Sequence, residues 1–148
     1  MGFFPTDIGA QIKGVAVGAG TATAASTGDA TKVTGQTIDR KDFLSGVLMI
    51  AFKAALTEDK TISFAVEIEE SADGSNFDTA VALQTATVAA TGGSSGSTEY
   101  GVVEIDENLK GRKRYVRYNI TPDLSHSGTD TLTWAAALVL GGAVDKPV

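Results

Sequence analysis

Residues 131–140 read TLTWAAALVL, and this stretch carries the longest strand signal in the chain. Large apolar side chains occupy every second position, namely Leu132, Trp134, Leu138 and Leu140, with Ala136 among them. Because successive side chains of a strand point to opposite faces, this period of two predicts a β-strand with one apolar face. The opposite face is also apolar towards residue 140, with Ala135, Ala137 and Val139. This second apolar face predicts that the strand is buried on both sides or lies at a subunit contact.

Shorter segments with the same period surround this strand. Apolar residues alternate at Phe64, Val66 and Ile68 and again at Val116, Tyr118 and Ile120, and a short run holds Val102, Val103 and Ile105. Turn residues separate these segments at 71–76, 91–97 and 121–128. Together they predict an all-β fold, a single antiparallel β-sandwich that is jelly-roll-like. We expect its core to contain Leu48, Ile50, Phe52, Phe64, Val66, Ile68, Val116, Tyr118, Ile120, Trp134 and Leu138.

The segment of residues 42–55 fits two secondary structures. A helix capped by Asp42 would place four apolar residues on one face, namely Phe43, Val47, Ile50 and Ala54. A strand would turn three apolar residues inward, namely Leu48, Ile50 and Phe52. We favour the strand, because the turn at residues 57–60 leads directly into the strand of residues 61–70, which is the spacing of a hairpin.

Composition excludes several classes of function. The 148 residues include no Cys and one His, which excludes a disulfide framework, a thiolate zinc site and a Cys nucleophile. Twelve Lys and Arg against 18 Asp and Glu give a net charge of −6, a balance unsuited to coating DNA or an anionic membrane. No signal peptide or membrane-spanning apolar run is apparent. We therefore expect no nucleic-acid partner and no membrane partner, and synthesis in the cytoplasm.

No group of residues has the pattern of a catalytic or cofactor site. Asp73 begins a loop with oxygen ligands, but Gln84 stands where a calcium loop has its twelfth-position carboxylate, so the Asp-Gly pair predicts a turn. His126 lies in a loop without a nucleophile-elbow motif. Glu69 and Glu70 are strand neighbours and point to opposite faces. We expect no catalytic residue, no cofactor and no metal, and hence no enzyme.

Residues 1–35 differ in composition from the rest of the chain. The tract GVAVGAGTATAASTGDATKVTG within them holds little that could fill a core. It fits either a flexible tail or an ordered arm on a partner subunit. Phe3, Phe4 and Ile8 favour the arm, because large apolar residues need a surface to bury against. We divide the chain into an extended N-terminal arm, 1–35, and a β-sandwich domain, 36–148, which we expect to fold without the arm.

A basic cluster lies at residues 110–117. Its members are Lys110, Arg112, Lys113, Arg114 and Arg117, interleaved with Tyr115 and near Tyr118. Basic residues among aromatic ones can bind single-stranded nucleic acid. In a strand, however, Lys113, Tyr115 and Arg117 would share one face. An acidic strand such as that of Glu67 and Glu69 could lie opposite them and form cross-strand pairs. We favour ion pairing within the chain or between subunits, and contact with an acidic partner protein is the second interpretation.

Two segments resemble small virion proteins of tailed bacteriophages and prophages. Residues 68–77, IEESADGSNF, end a strand in a Ser-x-Asp-Gly-x-x-Phe turn, and residues 114–122, RYVRYNITP, form a later Tyr-Val-Arg strand. This pattern, within residues 36–142, resembles the head decoration (cement) type. The resemblance implies a compact β-sandwich, often a trimer, on the outside of an icosahedral head, where it bridges neighbouring major capsid subunits.

We therefore expect a structural virion protein without catalysis, on the outer surface of a phage head. The expected partners are the major capsid protein and further copies of the chain in a homotrimer. The candidate partner contacts are Phe3, Phe4, Ile8, Arg112, Arg114 and Arg117. Two alternatives stay open, a phage tail or connector protein and a carbohydrate- or host-surface-binding module. The second would need exposed aromatic residues, whereas Trp134 falls on the apolar face of its strand.

Overall fold

The computed structural model describes residues 9–125 and 128–143, and its elements are almost all β-strands. A short 3₁₀ turn, Gly9–Gln11, precedes the first strand. The strands of this part of the chain are β1 (Lys13–Thr23), β2 (Val33–Thr34), β3 (Ile38–Asp39), β4 (Phe43–Leu56), β5 (Thr61–Ser71), β6 (Val81–Thr91), β7 (Ser97–Asn108), β8 (Tyr115–Leu124) and β9 (Thr131–Ala143).

The strands form two antiparallel sheets that face each other. The first sheet has the order β1-β9-β4-β7, and the second has the order β2-β8-β5-β6, with β3 also paired to β8. The chain changes sheet at most connections, whereas β5 and β6 follow each other within the second sheet. This wrapping of two Greek keys is the jelly roll. The predicted antiparallel, jelly-roll-like sandwich is confirmed.

The core lies between the two sheets and contains every residue that the sequence predicted for it. All eleven predicted core side chains are buried. Aromatic rings interlock across the core, because Phe64 on β5 lies 5.7 Å from the Phe52 ring on β4 and 6.4 Å from Trp134 on β9. Trp134 is 3% exposed, so it is a core residue and offers no surface on which a sugar could stack.

Strand β4 forms as predicted, but the hairpin expected after it does not. Phe43–Leu56 pair with β7 on one side and β9 on the other. The Lys60 N–H donates to the Thr57 carbonyl, which closes the predicted turn. The chain then enters the second sheet instead of returning beside β4. The physical reason is that β4 and β5 both carry large apolar side chains, which become buried when the two strands face each other across the core.

The predicted boundary between an arm and a sandwich at residue 35 is wrong, because part of residues 1–35 belongs to the sandwich. Strand β1 pairs with β9 along almost its whole length, with one register shift. Val17 and Ala22 are buried in the common core. Low side-chain bulk is a requirement here, since a Cβ atom at Gly20 would lie 3.0 Å from Nε1 of Trp134. Gly20 of the Gly/Ala/Thr tract therefore packs against the indole ring.

Two further differences concern the limits of strands. Residues 121–124 were expected in a loop, yet they complete β8, where Pro122 lies opposite Phe64. Proline is tolerated where the ladder needs no N–H donor. Strand β6 was not predicted, because it lies at the edge of the second sheet with its residues largely exposed, which removes the alternation that marks a half-buried strand.

Candidate interaction surfaces

The outer face of the second sheet carries charged side chains that pair with one another. Strands β5 and β8 are in a register that places Glu69 opposite Arg117, and these two side chains form an ion pair. The Arg117 guanidinium also lies 3.9 Å from the centroid of the Phe77 ring, a cation–π contact. Lys32 Nζ lies 2.5 Å from a carboxylate oxygen of Glu67. The predicted ion pairing within the chain is confirmed on this face.

The turn between β7 and β8 holds further basic residues with acidic partners. Their nitrogen-to-oxygen distances are 2.7 Å for Arg112 and Glu70, 2.7 Å for Lys113 and Asp78, and 2.6 Å for Arg114 and Asp39. The Arg114 hydrogen bonds hold the pKa of Asp39 below its ordinary value. Burial acts to raise the pKa of Glu70, but hydrogen bonds from Arg112 and from the Lys113 N–H outweigh it and lower that pKa.

These ion pairs bear directly on the three arginines predicted to contact a partner. Arg112 and Arg117 are part-buried and hold carboxylates of β5. Arg114 is the most accessible of the three, with 51% of its side chain exposed. Of the three arginines, Arg114 is therefore the one most accessible to a partner protein, although it already forms an ion pair with Asp39.

A buried polar group lies beneath the same turn. Glu107 is 7% exposed and Tyr118 is fully buried. Arg112 Nε lies 3.8 Å from Glu107 Oε2, which is too far for a hydrogen bond. Within residues 9–125 and 128–143, neither Glu107 Oε2 nor the Tyr118 hydroxyl has a hydrogen-bond partner. Burial raises the pKa of both groups, so the negative charge of Glu107 is costly in the folded state.

The Asp-Gly turn after β5 is closed by its own hydrogen bonds. The Asp73 carboxylate accepts 2.8 Å hydrogen bonds from the backbone and the amide side chain of Asn76 and from the Ser75 N–H. The Ser71 hydroxyl also donates to it. These bonds, those of Asn76 first, hold the pKa of Asp73 well below its usual range. The predicted turn is confirmed, and no cluster of three metal-ligating residues occurs in the described part of the chain.

The outer face of the first sheet differs sharply, because it consists mainly of small uncharged residues. Strand register aligns its outward side chains in rows that run across β1, β9, β4 and β7. The central row is Ala19, Ala135, Ala51 and Val102, and the next row is Ala16, Ala137, Met49 and Glu104. We call the outward side chains of these four strands, from the row of Gly14 to the row of Thr23, the alanine face.

The alanine face is open to solvent at its centre. Ala19, Ala51 and Ala135 are exposed, and Val102 is 50% exposed. The prediction for β9 was burial on both sides or a subunit contact, and burial within the chain is excluded for Ala135. The composition of β1 and β9 indicated this face in part, but only the pairing of four distant strands assembles it.

Charges are few on the alanine face and lie towards the β4–β7 side. Lys53 and Tyr100 occupy the row on one side of the central row, and the Lys53 ammonium lies 5.7 Å from the centroid of the tyrosine ring. Glu104 occupies the row on the other side, and Asp106 the row beyond it. The face thus carries one positive and two negative charges.

A shallow groove of about 540 Å³ opens at the end of the alanine face near Ile12. Val47 and Val139 contribute apolar surface to it, and Asp106 lines its acidic side. The chain enters the described residues at this end, since Gly9–Gln11 lies just before Ile12 and contacts β9.

Several residues singled out in the sequence have no described position. Phe3, Phe4 and Ile8 lie outside the described residues, as does the loop residue His126. In the part of the chain that the structure describes, no helix is long and apolar enough to cross a membrane.

The fold is similar to that of chains from viral particles. A chain in the structure of the infectious bursal disease virus Gx strain superimposes with a TM-score of 0.54 and 7% sequence identity, over 93% of this chain and 34% of that one. A chain of the infectious bursal disease virus VP2 subviral particle gives 0.51 and 10%, over 93% and 34%. This protein thus spans about a third of the length of those chains. No protein-family model matches the chain, and no curated protein matches it in sequence.

Proposed function

We propose that the protein is a structural virion protein that decorates the icosahedral head of a tailed bacteriophage and stabilises it by bridging major capsid subunits. The observation that carries this proposal is the jelly roll, with β1-β9-β4-β7 facing β2-β8-β5-β6. Jelly rolls recur as domains of viral capsids, and the two superimposed chains come from virus particles. The resemblance of residues 68–77 and 114–122 to head decoration proteins supports the phage and the decorating role.

The physical demands of decoration fit this molecule. A shell presents many equivalent sites, so each contact can be weak as long as the protein keeps its shape and binds several subunits at once. Aromatic rings that pack against one another between the sheets help to keep that shape. The ion pairs of the second sheet leave few unpaired charges to attract unrelated partners.

The N-terminal segment is the proposed contact with a neighbouring subunit. The eight residues before Gly9 span up to about 26 Å when extended, and they carry Phe3, Phe4 and Ile8. Burying these three side chains would contribute about 1.5–3 kcal/mol each, before the cost of ordering the chain. Among the arginines, Arg114 is the proposed additional contact because it is the most exposed.

Head binding tests the proposal. Purified protein is added to expanded heads assembled without it, and the bound copies per head and the temperature of genome release are measured. We expect saturable, stoichiometric binding and a higher release temperature. A variant that lacks residues 1–8 should bind more weakly while keeping the circular dichroism spectrum and melting temperature of the full chain. Absence of binding to expanded heads would overturn the proposed function.

A further inference from the structure

We propose that the alanine face binds the same face of a second copy of this chain, across a two-fold axis that crosses the strands at the level of Ala51 and Ala135. The starting observation is the exposure of the apolar central row, in which Val102 is 50% exposed. An apolar patch rimmed by polar residues marks an interaction site. On β5 and β8 of the second sheet, by contrast, outward charges pair within the chain.

The dimensions of the alanine face suit a second sheet as the occupant. Four strands about 4.8 Å apart and about 33 Å long give a face of about 600 Å². Two such faces bury about 1,200 Å², the lower end of the range for specific interfaces. The alanines of the central row let two sheets approach closely, and such sheets pack with their strands nearly aligned.

The charges of the alanine face are complementary to themselves under this axis. The row of Lys53 lies on one side of the central row, and the row of Glu104 lies on the other. A two-fold axis along the central row brings the Lys53 row of each copy opposite the Glu104 row of the other copy. Lys53 on β4 then lies diagonally opposite Glu104 on β7 of the second copy, displaced by one strand spacing of about 4.8 Å, a distance its long side chain can cross. This diagonal contact occurs twice in the dimer, as an isologous interface requires.

The same axis keeps the acidic residues apart. The row of Asp106 and the row of Thr98 are equally distant from the central row on opposite sides. Asp106 therefore faces Thr98 of the second copy, and no two carboxylates are brought together. A strongly acidic or basic partner would leave one sign of charge on this face unmatched, which favours a copy of the chain as the occupant.

The mass in solution tests whether the alanine face is the interface. Sedimentation equilibrium of the full chain should give a concentration-dependent mass that rises to twice the 15.2 kDa of one chain. Ala51→Arg, at the centre of the face, should weaken association at least about tenfold. The matched control is Ala82→Arg, another exposed alanine in a strand, on β6 of the second sheet, and it should leave the dimer unchanged. Circular dichroism verifies that both variants are folded.

Charge reversal tests the direction of the axis. Lys53→Glu and Glu104→Lys should each weaken the dimer about tenfold, and the double variant should restore it to within about threefold of the parent. A monomer at all concentrations, or a trimer whose mass Ala51→Arg leaves unchanged, would overturn the proposed interface. A double variant as weak as the single ones would overturn the proposed axis. Self-association in solution is independent of head binding, so the proposed function can fail without this interface failing.

Discussion

The two outer faces of the sandwich carry the same pleated backbone and opposite kinds of surface. On the second sheet, the strand register places Glu69 beside Arg117, and the charges cancel within the chain. On the first sheet, the central row contains three alanines and one valine. A sheet face that is exposed to solvent can thus carry charged side chains that pair in register, or small uncharged side chains. Only a face of the second kind leaves an apolar surface that another molecule can cover.

Removal of β1 should have the largest effect on this comparison, because β1 supplies one column of the alanine face and part of the core. We expect a chain that lacks residues 1–35 to lose cooperative unfolding, since β9 would lose its ladder partner and Val17 its buried site. Removal of residues 1–8 alone is the control and should leave thermal unfolding within about 0.5 kcal/mol of the parent. A cooperative transition in the shorter chain at the parent's temperature would show that β1 is dispensable.

Trp134→Ala should have the next largest effect, because the indole ring is buried in the core between the two sheets. We expect the free energy of unfolding to fall by about 3–5 kcal/mol, the range for removing a buried large aromatic side chain. Urea unfolding measures it, and Thr133→Ala, which changes the outward neighbour, should change stability far less. Equal stabilities of Trp134→Ala and the parent would contradict the core position of this residue.

The acidic groups near the turn of residues 109–114 should shift stability with pH in opposite directions. Glu107 has a raised pKa in the folded state. Its contribution to the stability of the folded state is therefore fully present below its pKa in the unfolded chain, and it is lost as the pH rises through the folded-state pKa. Glu107→Gln should therefore raise stability at pH 7 by about 1 kcal/mol. This difference from the parent should vanish below the ordinary glutamate pKa.

Glu70→Gln is the matched comparison for that prediction. The pKa of Glu70 is lowered in the folded state. Its contribution to the stability of the folded state is therefore present above its pKa in the unfolded chain, and it is lost as the pH falls through the folded-state pKa. This variant should be less stable than the parent at pH 7 and should approach the parent in acid. Urea unfolding at several pH values measures the stability of both variants. If both were more stable than the parent at pH 7, or both less stable, the opposite pKa shifts of Glu107 and Glu70 would be contradicted.

The pair of Glu69 and Arg117 should have the smallest effect, although it defines the second face. A double-mutant cycle with alanine at both positions should give a coupling energy of about 0.5 kcal/mol, because both side chains retain some exposure to solvent. Salt should reduce the coupling. A cycle of the row neighbours Ala51 and Ala135, each replaced by serine, is the counterpart on the first sheet and should show no salt dependence.

The alternating segments were predictable because burial alternates with the pleat of a strand. Phe64, Val66 and Ile68 show this on β5, and all three are buried. Two edge strands, β1 and β6, were not recognised in this way, and the reasons differ. In β1 small side chains conceal the alternation, although Val15 and Val17 show it faintly, and in β6 both faces reach solvent. The signal for β1 was present in the GVAV tetrapeptide of residues 14–17, which composition alone assigned to an arm together with the rest of its tract.

The strands of the core, the turns and the side chains that fill the sandwich follow from the order of residues alone, since these features depend on the local period of apolar residues and on turn chemistry. The crossing of β5 to the facing sheet and the place of β1 in the first sheet depend instead on how the whole chain packs. The same packing brings residues as distant as Ala19, Ala51 and Ala135 together on one surface. The physical reason is that a turn reverses the chain without selecting a sheet. The selection comes from burying apolar faces against each other, which is a property of the whole chain.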